Sequence, residues 1–264
     1  MIVINKCNNI KNNTIFFKKG GLAEWHCSGF EIHSLPYGSG GSIPSPSAIN
    51  KKKGVVGKTL SPRLLKQMEK NEFEEKVSSY NGNITNRSAS VGEFFYSLIV
   101  ENGFKNVLEI GSCYGRNTAY MAAACQENGG KAFAIELDKA NAQRTKKLSE
   151  NFGLDNVTVF NCNSFEILAE IMCKNDIQFV FIDACHDFRH SYTEWSISDC
   201  FINKEKSMIF FHDVYYRHGD SKGKDPGIPK TVEMTEAKIV KLEKDTIAYV
   251  SYGDIIIPEG FVIE

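Results

Sequence analysis

The sequence lacks charge of one dominant sign: Lys and Arg number 31 against 32 Asp and Glu, a formal net charge of -1. That balance leaves no electrostatic footprint for nucleic acid or for an anionic membrane surface. The only basic run, Lys51-Lys52-Lys53, sits in a polar stretch and reads as solvated loop. No apolar run approaches the length of a bilayer crossing. The N-terminus has no basic head followed by an apolar stretch and a small-residue cleavage site, so a cytoplasmic protein is expected. No internal repeat is present. Among eight cysteines no pair has Cys-x-x-Cys spacing, which argues against a zinc ribbon and a redox motif. Cys113, Cys125, Cys162, Cys173, Cys185 and Cys200 are scattered over expected helices and buried strands, and are expected to be reduced. Cys185 is assigned packing and no chemistry.

What is present suits one α/β domain with an added segment, since 42% of 264 residues are hydrophobic and a soluble core needs no staples. Residues 1 to 88 are polar, rich in Asn, Lys and Ser, and weak in periodicity. Gly38 to Ser47 is interrupted by Gly and Pro and reads as a loop. One helix is expected near 61–79, capped by Ser61 with Pro62 in its first position and Leu64, Leu65, Met68 and Phe73 on one face. The expectation is an irregular N-terminal extension over 1–88, acting as a lid or an oligomer contact, ahead of a domain over 89–264.

From Ser90 the texture changes. Ser90-Val-Gly-Glu93 resembles a capping box, and Phe94, Phe95, Leu98 and Ile99 follow at helical spacing. Strands are expected at Asn106–Ile110, Ala132–Glu136, Val157–Asn161, Ile177–Asp183 and Ser207–Asp213. Helices fill the gaps at Arg116–Glu127, Lys139–Asn151, Phe165–Cys173 and Arg189–Phe201. Such alternation implies right-handed crossovers and a doubly wound, mainly parallel sheet covered on both faces. Thr246–Ser251, Gly253-Asp254 and Ile255–Ile257 read as a C-terminal antiparallel hairpin, which completes a seven-stranded Rossmann-like α/β fold.

Chemistry-bearing residues gather at the strand ends. In Val107-Leu-Glu-Ile-Gly-Ser-Cys-Tyr-Gly-Arg-Asn-Thr118 a short apolar strand ends on an acid, and two glycines lead into a helix. Ligands of open α/β sheets bind beyond the carboxyl ends of the strands, where glycine permits close approach and a helix N-terminus favours an anion. The spacing is Gly-x-x-x-Gly and not Gly-x-Gly-x-x-Gly, which argues against a dinucleotide. Glu109 would repel a pyrophosphate but can accept from the cationic amino group of a methionine moiety. Glu136 ends the second strand, where a carboxylate can accept two ribose hydroxyls; helix N-termini also attract acids, as Asp138 illustrates. After the third strand, Asn161-Cys-Asn-Ser-Phe165 is either an ordinary polar turn or a place for an adenine, with Ser164 bonding and Phe165 stacking. Asp183 with His186, and His212 with Asp213, end the fourth and fifth strands. Two carboxylates and an imidazole can hold Mg²⁺ or Mn²⁺, and a histidine near neutrality is a fit general base. Tyr192, Trp195, Tyr215 and Tyr216 fall on the acceptor side but suit core packing as well. His190 and His218 read as surface or loop histidines.

Taken in order, these signals resemble class I S-adenosylmethionine-dependent methyltransferases. More narrowly they resemble the branch of macrocin and mycinamicin O-methyltransferases and the cephalosporin-biosynthesis methyltransferase-like proteins, over residues 89–235. The resemblance implies that Glu109, Gly111 and Gly115 shape the methionine pocket, with Ser112 and Tyr114 of the same turn among the cofactor-binding residues. It implies Asn117 or Thr118 at the methionine carboxylate, Glu136 at the ribose, and Asn163, Ser164 and Phe165 at the adenine. Asp183 and Asp213 fall where this branch binds Mg²⁺, with Asp183 also bordering the cofactor and His212 where an acid is usual. His186 matches the base histidine of its Asp-x-x-His motif. The implied reaction is methylation of a small-molecule hydroxyl, as in natural-product biosynthesis, with no nucleic acid or membrane partner and with self-association into a homo-oligomer. Rival readings are a metal-independent N-methyltransferase of an amine or guanidine, and a silent module that keeps the cofactor pocket as a scaffold.

Overall fold

The computed structural model describes residues 2–4, 14–18, 22–27, 30–33, 89–216, 225–242, 245–258 and 262–263. The chain divides into two compact units, Met1–Val55 and Val56–Glu264. The first holds β1 (Ile2–Ile4), β2 (Thr14–Lys18), β3 (Leu22–Cys27) and β4 (Phe30–His33), an antiparallel sheet in that order. The irregular extension expected from sequence therefore contains strands. Their signal was local: Ser28-Gly29 alone separates β3 from β4, the spacing of a two-residue hairpin. The expected helix near 61–79 lies outside the described residues.

Within the second unit the described residues begin with α1 (Ala89–Asn102) and then alternate: β5 (Asn106–Ile110), α2 (Arg116–Glu127), β6 (Lys131–Glu136), α3 (Lys139–Asn151), β7 (Val157–Asn161), α4 (Ser164–Lys174), β8 (Phe179–Ile182), α5 (Phe188–Phe201) and β9 (Ser207–Phe211). There follow α6 (Gly227–Met234), β10 (Lys238–Lys241), β11 (Thr246–Tyr252) and β12 (Val262–Ile263). The sheet order is β12-β10-β11-β9-β8-β5-β6-β7. Strands β5 to β9 run parallel, whereas β11, β10 and β12 pair antiparallel. This is the expected seven-stranded, mainly parallel Rossmann-like sheet, with the two-residue β12 added at one edge. Strand order reverses between β5 and β8, so a crevice opens at their carboxyl ends.

Near-continuous apolar strands are needed because both faces of a parallel sheet are covered. Val107, Phe179, Phe181, Met208 and Phe210 belong to one core cluster with Phe94, Phe95, Leu98 and Met121 of α1 and α2. The alternate residues Leu108, Val180, Ile182 and Ile209 are equally buried. Phe95 is the hub: its ring centroid lies 5.0 Å from Phe179, 4.7 Å from Phe181 and 5.0 Å from Phe210.

Four local readings need correction. The terminal hairpin is β10–β11, with Lys241 opposite Thr246, and residues 255–257 carry no strand. The alternation in Lys238-Ile-Val-Lys241 was too short to mark a strand without its partner. Helix α6 went unseen because Pro229 lies within it. Helix α1 already includes Ala89, so Ser90 is a first-turn residue and not the cap. Finally, Cys200 is disulfide-bonded, against the expectation of thiols throughout; no sequence spacing announces such a pair, which depends on the approach of two Cβ atoms. No helix among the described residues is long and apolar enough to cross a membrane.

Candidate active site

The glycine turn is built as the crevice requires. Gly111 has φ +91°, and a Cβ there would lie 2.4 Å from the Asp183 carbonyl oxygen, so the ends of β5 and β8 touch backbone to backbone. Gly115, at φ +83°, caps α2, and a Cβ on it would meet the Thr145 backbone at 2.8 Å. Between them Cys113 also takes a left-handed φ of 48°. Such conformations are sparsely populated and persist where surroundings enforce them, commonly at ligand sites.

Carboxylates line this turn. Glu109 is buried and accepts from the Thr118 hydroxyl. Burial pushes its pKa up to about 8; the Thr118 bond opposes the shift, while Asp183 and Glu136 add to it. Glu136 is held by two backbone amides, Cys113 N–H at 2.7 Å on Oε2 and Asp138 N–H at 2.8 Å on Oε1. Each oxygen keeps a lone pair, as acceptance of two vicinal hydroxyls requires. Of the two candidates for a carboxylate contact, Thr118 is committed to Glu109, whereas Asn117 is 7% exposed and its Oδ1 has no partner. Ser112 Oγ lies 3.2 Å from Thr145 Oγ1, and the Tyr114 ring packs under the Arg144 guanidinium at 5.0 Å.

On the neighbouring turn, Asn163 caps α4 by accepting from Phe165 N–H at 2.9 Å. Ser164 donates at 2.6 Å to Glu194 of α5, a carboxylate that sequence reasoning did not single out. Glu194 is fully buried, which raises its pKa to about 8. Phe165 stacks on His190 with centroids 4.4 Å apart, so His190 belongs to this wall and not to a loose surface.

The strand-end acids and histidines do converge. His186 Nε2 lies 3.0 Å from Asp213 Oδ2 and 3.8 Å from Asp183 Oδ1. His212 Nδ1 lies 3.1 Å from Asp183 Oδ1 and 3.5 Å from Asp213 Oδ2. These are approaches of charge without hydrogen-bond alignment. Asp183 and then Asp213 push the His186 pKa up to about 9 against half-burial. Burial works against charge on His212, but Asp183, Asp213 and Asp245 outweigh it and raise its pKa far above the usual range. Asp213, at φ 49°, is held well below the usual carboxylate range by His186 and His212. Asp245, just before β11, grips His212 Nε2 at 2.9 Å. It was illegible in the sequence, lying 33 residues from its partner. Asp183, His186 and Asp213 each present a ligand atom within 4.8 Å of the others, whereas the metal set expected from sequence had His212 in place of His186. Tyr216 lies over His186 at 4.8 Å, and both it and Tyr215 are exposed.

Comparison with known proteins follows the same geometry. Residues 108–214 match the family model described as a methyltransferase domain. That span carries the glycine turn, Glu136, the Ser164 turn and all four strand-end acids and histidines. No curated protein matches the chain. Among solved structures, an O-methyltransferase from Bacillus cereus in complex with S-adenosylhomocysteine superposes with TM-score 0.56 at 20% identity, covering 69% of this chain and 90% of that one. The O-methyltransferase TomG from Streptomyces achromogenes, involved in tomaymycin synthesis and bound to S-adenosylmethionine, gives TM-score 0.56 at 15% identity over 70% and 89%. A Podospora anserina methyltransferase bound to S-adenosylhomocysteine gives 0.54 at 13% over 78% and 100%. These likenesses establish the Rossmann-like fold. The domain match marks residues 108–214 as similar to a methyltransferase domain.

Proposed function

We propose that this methyltransferase domain transfers a methyl group from S-adenosylmethionine to a hydroxyl of a small molecule. The observation that carries the reading is the Asp183–His186–Asp213 cluster, set directly against Gly111 of the glycine turn. The residues present fit the cofactor: an orphaned buried Asn117 oxygen able to accept from an ammonium, a Glu136 carboxylate held ready by two amides, and a turn whose glycines admit no Cβ. When bound, S-adenosylmethionine supplies the electrophilic methyl on its sulfonium. The chain contributes position, which is worth several kcal/mol, on the order of 7 in well-oriented cases. The donors at the N-terminus of α2, including Asn117 Nδ2, meet the methionine carboxylate; Glu109 and the Asn117 oxygen accept from its ammonium, Glu136 accepts from the ribose, and the Phe165–His190 wall holds the adenine.

His186 receives the acceptor proton. In the free protein its raised pKa keeps it charged at neutrality, so the basic form grows as pH rises. Asp183 and Asp213 are the residues that would hold Mg²⁺ or Mn²⁺, which supplies Lewis-acid polarisation of the acceptor oxygen. The protons on His186 and His212 compete for those carboxylates, so metal affinity should rise with pH. Tyr215 and Tyr216 flank the acceptor side. The site order favours the macrocin and mycinamicin-like branch, hence natural-product acceptors and a self-associating protein. A second reading, metal-independent N-methylation, is favoured by one observation: two imidazolium groups already neutralise the acids without a metal.

The test is calorimetric titration with S-adenosylhomocysteine, in Mg²⁺ and then in EDTA. One-to-one binding in both directs the search to hydroxyl acceptors, with chelator sensitivity separating the two readings. Absence of binding in both would remove the cofactor assignment.

A further inference from the structure

The loop after β8 hands its donors to two places. Asp183 and His186 converge with Asp213, whereas Cys185 and Asp187 converge with His190 in the first turn of α5. In this second group the thiol sulfur, a carboxylate oxygen and an imidazole nitrogen all lie within 4.8 Å of one another, each residue half-buried. Cys185 Sγ lies 2.7 Å from Asp187 Oδ2, and His190 Nδ1 lies 3.7 Å from the same oxygen. Capping does not explain the grouping. Asp187 caps α5 through Oδ1, which accepts from His190 N–H at 2.8 Å, and this fixes where Oδ2 points. The imidazole is fixed separately, flat on Phe165 with an interplanar angle of 24°. Neither a thiol nor an imidazole is needed for a cap, yet both approach the second oxygen, Oδ2.

We propose that Cys185, Asp187 and His190 form a second metal site, selective for a borderline-soft divalent ion of the zinc class and separate from the Asp183–Asp213 cluster. Sulfur, nitrogen and oxygen donors together suit Zn²⁺ or Co²⁺ and are foreign to Mg²⁺, which takes oxygen. Three protein ligands leave a fourth tetrahedral position for solvent on the exposed side. Binding forms one metal–sulfur bond and releases the thiol proton to water. The ion ties the loop that carries His186 to the helix that carries the Phe165-facing ring, so it acts on the adenine wall by position and not on the acceptor. Both clusters share one loop, and its donors alternate between a hard-ion and a soft-ion group. The assignment stands on this geometry alone and is independent of methyl transfer.

The experiment titrates Co²⁺ into the full chain after EDTA treatment and dialysis, following the near-ultraviolet thiolate-to-cobalt charge-transfer band. A band saturating at one equivalent, with release of one proton, is expected. Cys185→Ser should abolish it, His190→Gln should weaken binding at least tenfold, and Asp183→Asn should leave it intact. No band at stoichiometric Co²⁺, a band that survives Cys185→Ser, or one lost in Asp183→Asn would each overturn the proposal. Should Cys185→Ser fail to fold by circular dichroism, X-ray absorption at the zinc edge of loaded wild type decides. One sulfur neighbour supports the site, and none or more than one overturns it.

Discussion

Replacing Glu194 by Gln should stabilise the protein, but only at alkaline pH. Glu194 is fully buried, its Oε1 accepts from Ser164, and its Oε2 has no partner. Burial raises its pKa from 4.5 to about 8. In the unfolded chain it ionises near the ordinary value, so folding holds a proton that the unfolded state releases. Stability from the neutral form is therefore complete below pH 4.5, declines as pH rises, and is flat again above about 8. At about 1.36 kcal/mol per pKa unit the whole interval is worth on the order of 4 to 5 kcal/mol, a ceiling because water entry and relaxation soften the cost. Gln copies the neutral acid: it keeps an oxygen for Ser164 and places an amide where the second oxygen was equally unpartnered. Near pH 5 the variant should match wild type to within about 1 kcal/mol, and near pH 8.5 it should be more stable by about 2 to 4 kcal/mol. Urea unfolding in EDTA, read by tryptophan fluorescence and circular dichroism at both pH values, measures this. Glu109 also titrates near 8, but it is common to both proteins and cancels in the difference. Equal destabilisation at both pH values, or a greater loss at pH 8.5, would refute the claim that the fold holds Glu194 neutral.

Three further outcomes are expected. His186→Ala should lower turnover by about 10² to 10⁴ while S-adenosylhomocysteine binding by calorimetry stays unchanged, and wild-type turnover should climb with pH toward about 9. Gly111→Ala combines a left-handed φ with a 2.4 Å approach to backbone; calorimetry should show at least tenfold weaker cofactor binding, and denaturation a loss of about 2 kcal/mol or more. Phe95→Ala empties the hub of the aromatic core and should cost about 3 to 5 kcal/mol in urea unfolding, with cofactor affinity of the folded protein retained.

The methyltransferase half of the molecule was legible because its signals are local. Asn106–Ile110, apolar but for Asn106 and Glu109, and Phe179–Ile182 are runs of strand length, each followed by chemistry that sits where a parallel sheet ends. The helix Lys139–Asn151 was readable to its last residue because Asp138 caps it and Gly153, at φ 66°, ends it. Gly111 and Gly115 could be picked out because a turn that must carry positive φ and exclude a Cβ accepts little else. The strands of the first unit were missed although Ser28-Gly29 has the spacing of a hairpin, because runs of three to six residues such as Ile2–Ile4 and Phe30–His33 are too short for a period to show.

Other features were decided by the tertiary structure alone. Whether Asn117 or Thr118 stays open depends on Glu109, which reaches Thr118 across the turn. That His212 is a pinned cation follows from Asp245, delivered by the β10–β11 hairpin, whose strand β11 pairs with β9. That Ser164 faces a buried acid depends on the packing of α5 against α4. Sequence by itself set the order of elements and the residue types at each strand end, since hydrophobic period and backbone sterics act over a few residues. Which side chains share a proton, a cation or a ring face was settled only by folding, because those energies fall off within a few ångströms and join residues far apart in the chain.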